Sequence, residues 1–158
     1  MASNLKILGD HSNKNRVSLK NKKIGLVVSE WNDQVTDSLL AAAREVLLSH
    51  GARAKNLVVR YVPGSFELPL GAQYLAAGED IEAVICLGCV IQGETRHFDF
   101  ICGAVANGIT QVGLKFNKPV IFGVLTTNTL QQALDRAGGK HGNKGEEAAY
   151  TAIKMLGF

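Results

Sequence analysis

Short apolar runs alternate along this chain with segments in which apolar residues recur every three or four positions. The runs are rich in Val, Ile and Leu and show no polar alternation, which is typical of strands buried on both faces of a sheet. We expect four such strands, at 23–29, 55–62, 82–90 and 119–125.

Helical spacing is clearest between Asp33 and His50, where apolar residues fall on one face and Gly51 ends the pattern. Asn32 or Asp33 is the expected N-cap of this helix. The further predicted helices are 66–78, a long helix with an apolar stripe from Phe98 to Val112, 128–137 and 143–156.

The regular alternation of strands and helices predicts the fold class. Such alternation favours βαβ units, a parallel sheet and right-handed connections. We therefore expect a three-layer, flavodoxin-like α/β domain with a four-stranded parallel sheet flanked by helices. Ligands of open α/β sheets bind at the carboxyl ends of the strands, which here begin near Ser29, Val62, Val90 and Leu125.

Charge is distributed unevenly along the 158 residues. Residues 1–23 contain six Lys or Arg against one Asp, whereas the whole chain has a net charge of only +3. The basic segment has no aromatic residue to stack on bases, so it does not favour nucleic-acid binding. We expect residues 1–20 to be a flexible or extended tail and residues 21–158 to form one domain.

Three cysteines and the absence of a signal-like or membrane-spanning apolar run favour a reducing, cytoplasmic location. Cys86 and Cys89 form a C-x-x-C pattern, but both fall within a predicted strand. Side chains three apart on a strand face opposite sides of the sheet, so a shared metal or a disulfide is disfavoured. We expect buried core thiols.

The predicted strand ends carry the candidate chemistry. Trp31 follows the first strand, where an indole could stack on a planar heterocycle, and Asn32 could bind a ligand or cap the helix. After the second strand, Ser65, Phe66 and Glu67 follow a Pro-Gly turn and could hold a polyol or a heterocycle.

The loop after the third strand concentrates proton donors and acceptors. His97 lies beside Glu94, Thr95 and Arg96, and an imidazole both gives and takes protons near neutral pH. We therefore expect a reaction site at this loop.

Arg136 and Lys144 flank a glycine-rich connection that could hold an anion, although surface ion pairs would explain both cations equally well. The connection is not a Walker A loop, because it lacks that motif and follows a helix rather than a strand. No dinucleotide fingerprint follows the first strand, and no metal-ligand spacing is evident.

Five ordered motifs resemble those of the lumazine synthase family, and the match extends in register from about residue 20 to the C-terminus. The motifs are VPGSFELP (62–69), GCVIQGETRHFDF (88–100), FGVLT (122–126), DRAG (135–138) and GNKG (142–145).

The resemblance implies an activity and a site. Family members condense 5-amino-6-(ribitylamino)uracil with 3,4-dihydroxy-2-butanone 4-phosphate, without cofactor or metal, in the penultimate step of riboflavin biosynthesis. At the position of Trp31 most members have a phenylalanine that stacks on the pyrimidine, so this chain departs from the family pattern there.

By the same resemblance, His97 transfers protons and Arg136 clamps the phosphate. The other residues implied to bind substrate are Trp31, Asn32, Ser65, Phe66, Glu67, Cys89, Val90, Ile91, Glu94, Thr95, Phe122 and Lys144. Phe122, Arg136 and Lys144 would come from a neighbouring subunit, and Asp135 stands where several members have glutamate that could orient Arg136.

Alternatives to the synthase are the related archaeal type of riboflavin synthase and a non-catalytic flavin- or lumazine-binding carrier or shell protein. The phosphate-site cations argue against the first. The family forms pentamers, decamers and sixty-subunit capsids, and we expect a homopentamer with sites between subunits.

Overall fold

A computed structural model describes residues 17–158, and residues 1–16, which include most of the expected tail, lie outside the described part of the chain. Its strands are β1 (Lys23–Ser29), β2 (Leu57–Val62), β3 (Ile81–Ile91), β4 (Val120–Thr127), β5 (Ala137–Gly139) and β6 (Gly142–Asn143). Its helices are α1 (Asp33–Ser49), α2 (Leu68–Ala76), α3 (His97–Phe116), α4 (Leu130–Leu134) and α5 (Lys144–Leu156).

The main sheet is parallel and has the strand order β2-β1-β3-β4. One face carries an apolar cluster with residues of α1 and α5, and the opposite face carries a second cluster with residues of α2 and α3. This arrangement confirms the predicted three-layer, flavodoxin-like fold. β2 is added on one side of β1, and β3 and β4 are added on the other side. The strand order therefore reverses between β1 and β3, and open α/β sheets have a ligand-binding crevice at the carboxyl ends of two such strands.

Leu19 is fully buried in the α1/α5 cluster and Val17 packs against it. The packed part of the chain therefore includes residues that precede β1. No helix within residues 17–158 has the length and apolarity needed to cross a membrane.

Two helices are shorter than predicted. The segment expected as one helix at 66–78 begins with a 3-10 turn, Ser65–Glu67, and only Leu68–Ala76 is α-helical, with Pro69 in its first turn as expected. The helix expected at 128–137 is the five-residue α4, and the glycine-rich segment after it pairs as the antiparallel β5–β6 hairpin. Positive φ angles at Gly138 and Gly142 explain why a hairpin forms there.

Candidate active site

The loops after β1 and β2 are held together beyond the ends of the strands. The Glu30 amide donates to the Val62 carbonyl at 2.9 Å, and the Trp31 amide donates to the Pro63 carbonyl at 3.2 Å. This pairing fixes the backbone of Trp31 while its side chain remains 73% exposed. The indole is therefore presented to solvent from a rigid base.

Asn32 is the N-cap residue of α1, as predicted, but its side chain makes no capping hydrogen bond. Its backbone is left-handed, with φ 63° and ψ 45°, and its side-chain amide donates to the Cys89 carbonyl at 3.0 Å. Asn32 thus ties the loop after β1 to the end of β3. The asparagine side chain tolerates this backbone conformation better than most.

The turn at Ser65–Glu67 points its three side chains in different directions. Phe66 is 56% exposed, and the Glu67 carboxylate accepts a hydrogen bond from the Gly64 amide at 3.0 Å. Ser65 is buried, and its hydroxyl has no hydrogen-bond partner among the described residues. A ligand of this turn would therefore meet the Ser65 backbone rather than its hydroxyl.

Cys86 and Cys89 belong to the clusters on opposite faces of the sheet, as predicted for side chains three apart on a strand. Burial raises the pKa of the Cys86 thiol to about 12 and that of Cys89 to about 11. Both are therefore protonated at neutral pH and poor nucleophiles. Val90 and Ile91 complete β3 and are partly buried.

The loop between β3 and α3 is open to solvent. Glu94, Thr95 and His97 are all exposed, and His97 begins α3 with its amide donating to the Thr95 hydroxyl at 3.4 Å. Within residues 17–158, the amides of Glu94 and Thr95 donate no hydrogen bond. Two unpaired backbone donors and an exposed imidazole thus lie within four residues of one another, which suits anion binding and proton transfer.

A groove of about 690 Å³ lies along β4, which is an edge strand of the sheet. β4 lines it over its whole length, and α5 closes one side with Lys144, Glu147 and Thr151. Arg136 lines it from the segment after α4. We call this surface the edge groove.

The two cations of the edge groove, Lys144 and Arg136, differ in whether a carboxylate pairs with them. The Lys144 ammonium lies 2.7 and 2.8 Å from the two Glu147 carboxylate oxygens, as an ion pair within the first turn of α5. The Arg136 guanidinium donates to the Gln132 carbonyl at 2.9 Å and has no carboxylate partner among the described residues. Arg136 is therefore the cation most available to an anion.

Asp135 makes no ion pair with Arg136, so it does not orient Arg136 in the way that the resemblance implies. Its oxygens accept from the Gln131 amide at 3.0 Å and pair with the Lys140 ammonium at 3.0 Å. These two partners hold the pKa of Asp135 below its usual range. The carboxylate therefore anchors the β5–β6 hairpin to α4.

The candidate residues belong to two parts of the structure. We call the first the strand-end cluster; it comprises Trp31, Asn32, Phe66, Glu67, Glu94, Thr95 and His97. Phe122, in the edge groove, pairs in register with Cys86, five residues before the end of β3. At a rise of about 3.3 Å per residue, Phe122 lies about 16 Å from the carboxyl edge of the sheet.

Comparison with known proteins identifies the family. The family model for 6,7-dimethyl-8-ribityllumazine synthase matches residues 21–158. The chain belongs to this family. A 6,7-dimethyl-8-ribityllumazine synthase of Cytophaga hutchinsonii is 65% identical over 139 residues, covering 88% of this chain and 87% of the relative. One of the same name from Phocaeicola vulgatus is 48% identical over 158 residues, covering 100% of this chain and 94% of the relative.

Each of the five lumazine synthase motifs found in the sequence contributes at least one residue to the strand-end cluster or to the edge groove. Sequence reasoning missed the groove residues Gln132, Glu147 and Thr151. Glu147 had a usable signal, because it follows Lys144 by three positions at the start of a helix, a spacing that brings two side chains together. Gln132 and Thr151 carry no such signal.

Proposed function

We propose that this chain condenses 5-amino-6-(ribitylamino)uracil with 3,4-dihydroxy-2-butanone 4-phosphate, releasing phosphate and water, in the penultimate step of riboflavin biosynthesis. The observation that carries the proposal is the similarity to relatives named for this activity, 48–65% identical over most of their length. The chain is accordingly an enzyme of the transferase class.

The strand-end cluster suits the pyrimidine substrate. We assign stacking on the pyrimidine ring to the exposed indole of Trp31, since a flat apolar surface gains contact area and dispersion there. Phe66, Glu67 and the backbone of Ser65 hold the ribityl chain. The backbone at Cys89, Val90 and Ile91 borders the ring edge.

The phosphate substrate requires donors that face an anion. The free amides of Glu94 and Thr95 supply two of them. Arg136 supplies a planar fork that matches phosphate oxygens, and it has no competing carboxylate within residues 17–158. Lys144 adds charge, which Glu147 partly offsets.

In the reaction, the substrate amine is the nucleophile, so the imine forms without an enzyme lysine. The protein contributes by holding two reactants together, which can reduce the barrier by up to about 7–11 kcal/mol in ideal cases. Arg136 and the loop amides stabilise the departing phosphate. His97 moves protons during elimination and ring closure, a contribution of about 10²–10⁴-fold.

We further propose a homopentamer in which each site combines the strand-end cluster of one copy with the edge groove of its neighbour. The support is geometric, because Phe122 lies about 16 Å from the carboxyl edge within one copy. An exposed edge strand also offers unpaired backbone groups to another chain.

Two smaller proposals accompany this one. Residues 21–158 form the catalytic domain, in keeping with the start of the family match at residue 21. The tail expected at residues 1–20 does not include Val17 and Leu19, which pack in the core. The protein is cytoplasmic, in keeping with its three unpaired thiols.

The test is an assay that follows lumazine fluorescence and phosphate release together. Equal amounts of both products support the proposal. His97→Ala should slow turnover with little change in substrate affinity, whereas Arg136→Ala should raise the KM for the phosphate substrate. Lys115→Ala, on α3 away from both groups of site residues, is the matched cation control. Tight lumazine binding with no phosphate release would instead indicate a carrier.

A further inference from the structure

The Ser65–Glu67 turn rests on a part of β3 that has no side chain. A Cβ atom built on Gly88 would lie 2.7 Å from the Ser65 hydroxyl oxygen and 2.8 Å from Cδ1 of Leu68. The Ser29 hydroxyl would be 3.4 Å away. Gly88 therefore lets the turn sit directly against the strand.

The hydroxyls above Gly88 are held there without hydrogen bonds. Ser29 and Ser65 are 0% and 6% exposed, and neither hydroxyl has a partner among the described residues. Burying an unpaired hydroxyl is unfavourable. Close packing on Gly88, rather than polar bonding, therefore sets the height of Ser65 above the sheet.

Ser65 in turn sets the position of the side chains that follow it. Phe66 projects into solvent from this turn, and the Glu67 carboxylate folds back onto the Gly64 amide. A Cβ on Gly64 would lie 3.2 Å from that carboxylate and 3.9 Å from Cδ1 of Trp31. The turn and the indole are thus close neighbours, and a displacement of one changes the space beside the other.

We propose that Gly88 is a positioning residue for the pyrimidine and ribityl subsite, acting through the height of Ser65. The inference rests on the proposed function, because it assigns Phe66 and Glu67 to that subsite. Restoring an ordinary 3.4 Å contact in Gly88→Ala requires the Ser65 hydroxyl to move by about 0.7 Å. Productive sites tolerate displacements of only about 0.5 Å.

The experiment measures binding of 6,7-dimethyl-8-ribityllumazine by fluorescence titration, alongside urea unfolding. Gly88→Ala should weaken lumazine binding at least about tenfold, since a displacement of about 1 Å can cost about 10²-fold. Gly25→Ala is the matched control. Its Cβ would meet Leu75 Cδ1 at the same 2.7 Å on the same face of the sheet. It lies four residues before Ser29, about 13 Å from the strand end.

A double-mutant cycle shows whether Ser65 carries the effect. In a Ser65→Ala background the added methyl no longer meets the hydroxyl, and its remaining 2.8 Å contact is with the flexible end of the Leu68 side chain. Gly88→Ala should therefore change lumazine binding less than threefold in that background. The inference is overturned if Gly88→Ala weakens binding no more than Gly25→Ala, or if the loss persists in the Ser65→Ala background.

A substitute variant covers the case in which Gly88→Ala does not fold, and a wild-type measurement distinguishes failure of this inference from failure of the proposed function. If Gly88→Ala does not fold, Ser65→Cys replaces it, because the larger sulfur presses on Gly88 in the same way. It should weaken lumazine binding relative to Ser65→Ala, and equal binding by the two would overturn the inference. Wild-type protein that binds lumazine without making it contradicts the proposed function but leaves this comparison intact.

Discussion

Asn32 combines two features whose energies can be separated by substitution. Its left-handed backbone costs about 1–2 kcal/mol for an ordinary L-residue but little for glycine. Its side-chain hydrogen bond to the Cys89 carbonyl, at 3.0 Å, contributes about 0.5–1.5 kcal/mol net. Asn32→Gly loses only the hydrogen bond, whereas Asn32→Ala loses the hydrogen bond and also incurs the cost of the left-handed backbone.

Asn32→Ala should therefore lower the free energy of unfolding by about 1.5–3.5 kcal/mol, and Asn32→Gly by only about 0.5–1.5 kcal/mol. This order is the reverse of that at ordinary helix and strand positions, where glycine is the less stable. Asn32→Asp keeps the shape but places a carboxylate against a carbonyl oxygen, so it too should destabilise.

The assay is urea unfolding at one fixed protomer concentration, because the stability of an oligomer depends on concentration. Equal slopes of free energy against urea allow the midpoints to be compared directly. An Asn32→Ala variant as stable as Asn32→Gly would refute the reasoning, since the left-handed backbone would then cost nothing. If both variants were as stable as the wild type, the claim that the hydrogen bond to Cys89 stabilises the protein would be refuted as well.

Three other experiments, two with variants and one with chemical labelling, test other parts of the structure. Gly145→Ala would place a Cβ 2.0 Å from the Leu39 carbonyl oxygen. Overpacking of this kind ordinarily costs about 1–3 kcal/mol, so urea unfolding should show a loss of unfolding free energy at least that large. Asp135→Asn should destabilise at neutral pH. The difference from wild type should vanish as the pH falls through the depressed pKa of Asp135, where the wild-type carboxyl also loses its charge. Iodoacetamide should modify Cys102 first in the native protein, because the other two thiols are buried, whereas equal labelling of all three would contradict their burial.

The fold was predictable because its signals are local and repeated. Buried parallel strands read as apolar runs, and both the α1 stripe and the Pro69 start of α2 follow from the spacing of residues. The β5–β6 hairpin was missed because its strands are two and three residues long. Segments so short give no periodicity, and only the glycines mark the turn.

The positions of the candidate residues in the fold were predictable, but their contacts were not. The loop motifs placed His97 and Trp31 at strand ends, since parallel strands share a carboxyl edge. The link from Asn32 to Cys89 joins residues 57 positions apart, and no sequence pattern specifies such a partner. The same is true of Ser65 above Gly88, where a glycine matters because of what lies over it.

The central claim is that this chain catalyses the condensation at sites shared between copies. Co-expression of His97→Ala and Arg136→Ala chains with different tags tests both parts at once. Random mixing gives about a quarter of such shared sites an intact pair, with His97 from one copy and Arg136 from its neighbour. Purified mixed assemblies should therefore form lumazine and phosphate at up to about a quarter of the wild-type rate, well above either parent. Activity no greater than that of the parents, beside an active wild type, would contradict the shared site; an inactive wild type would contradict the function itself.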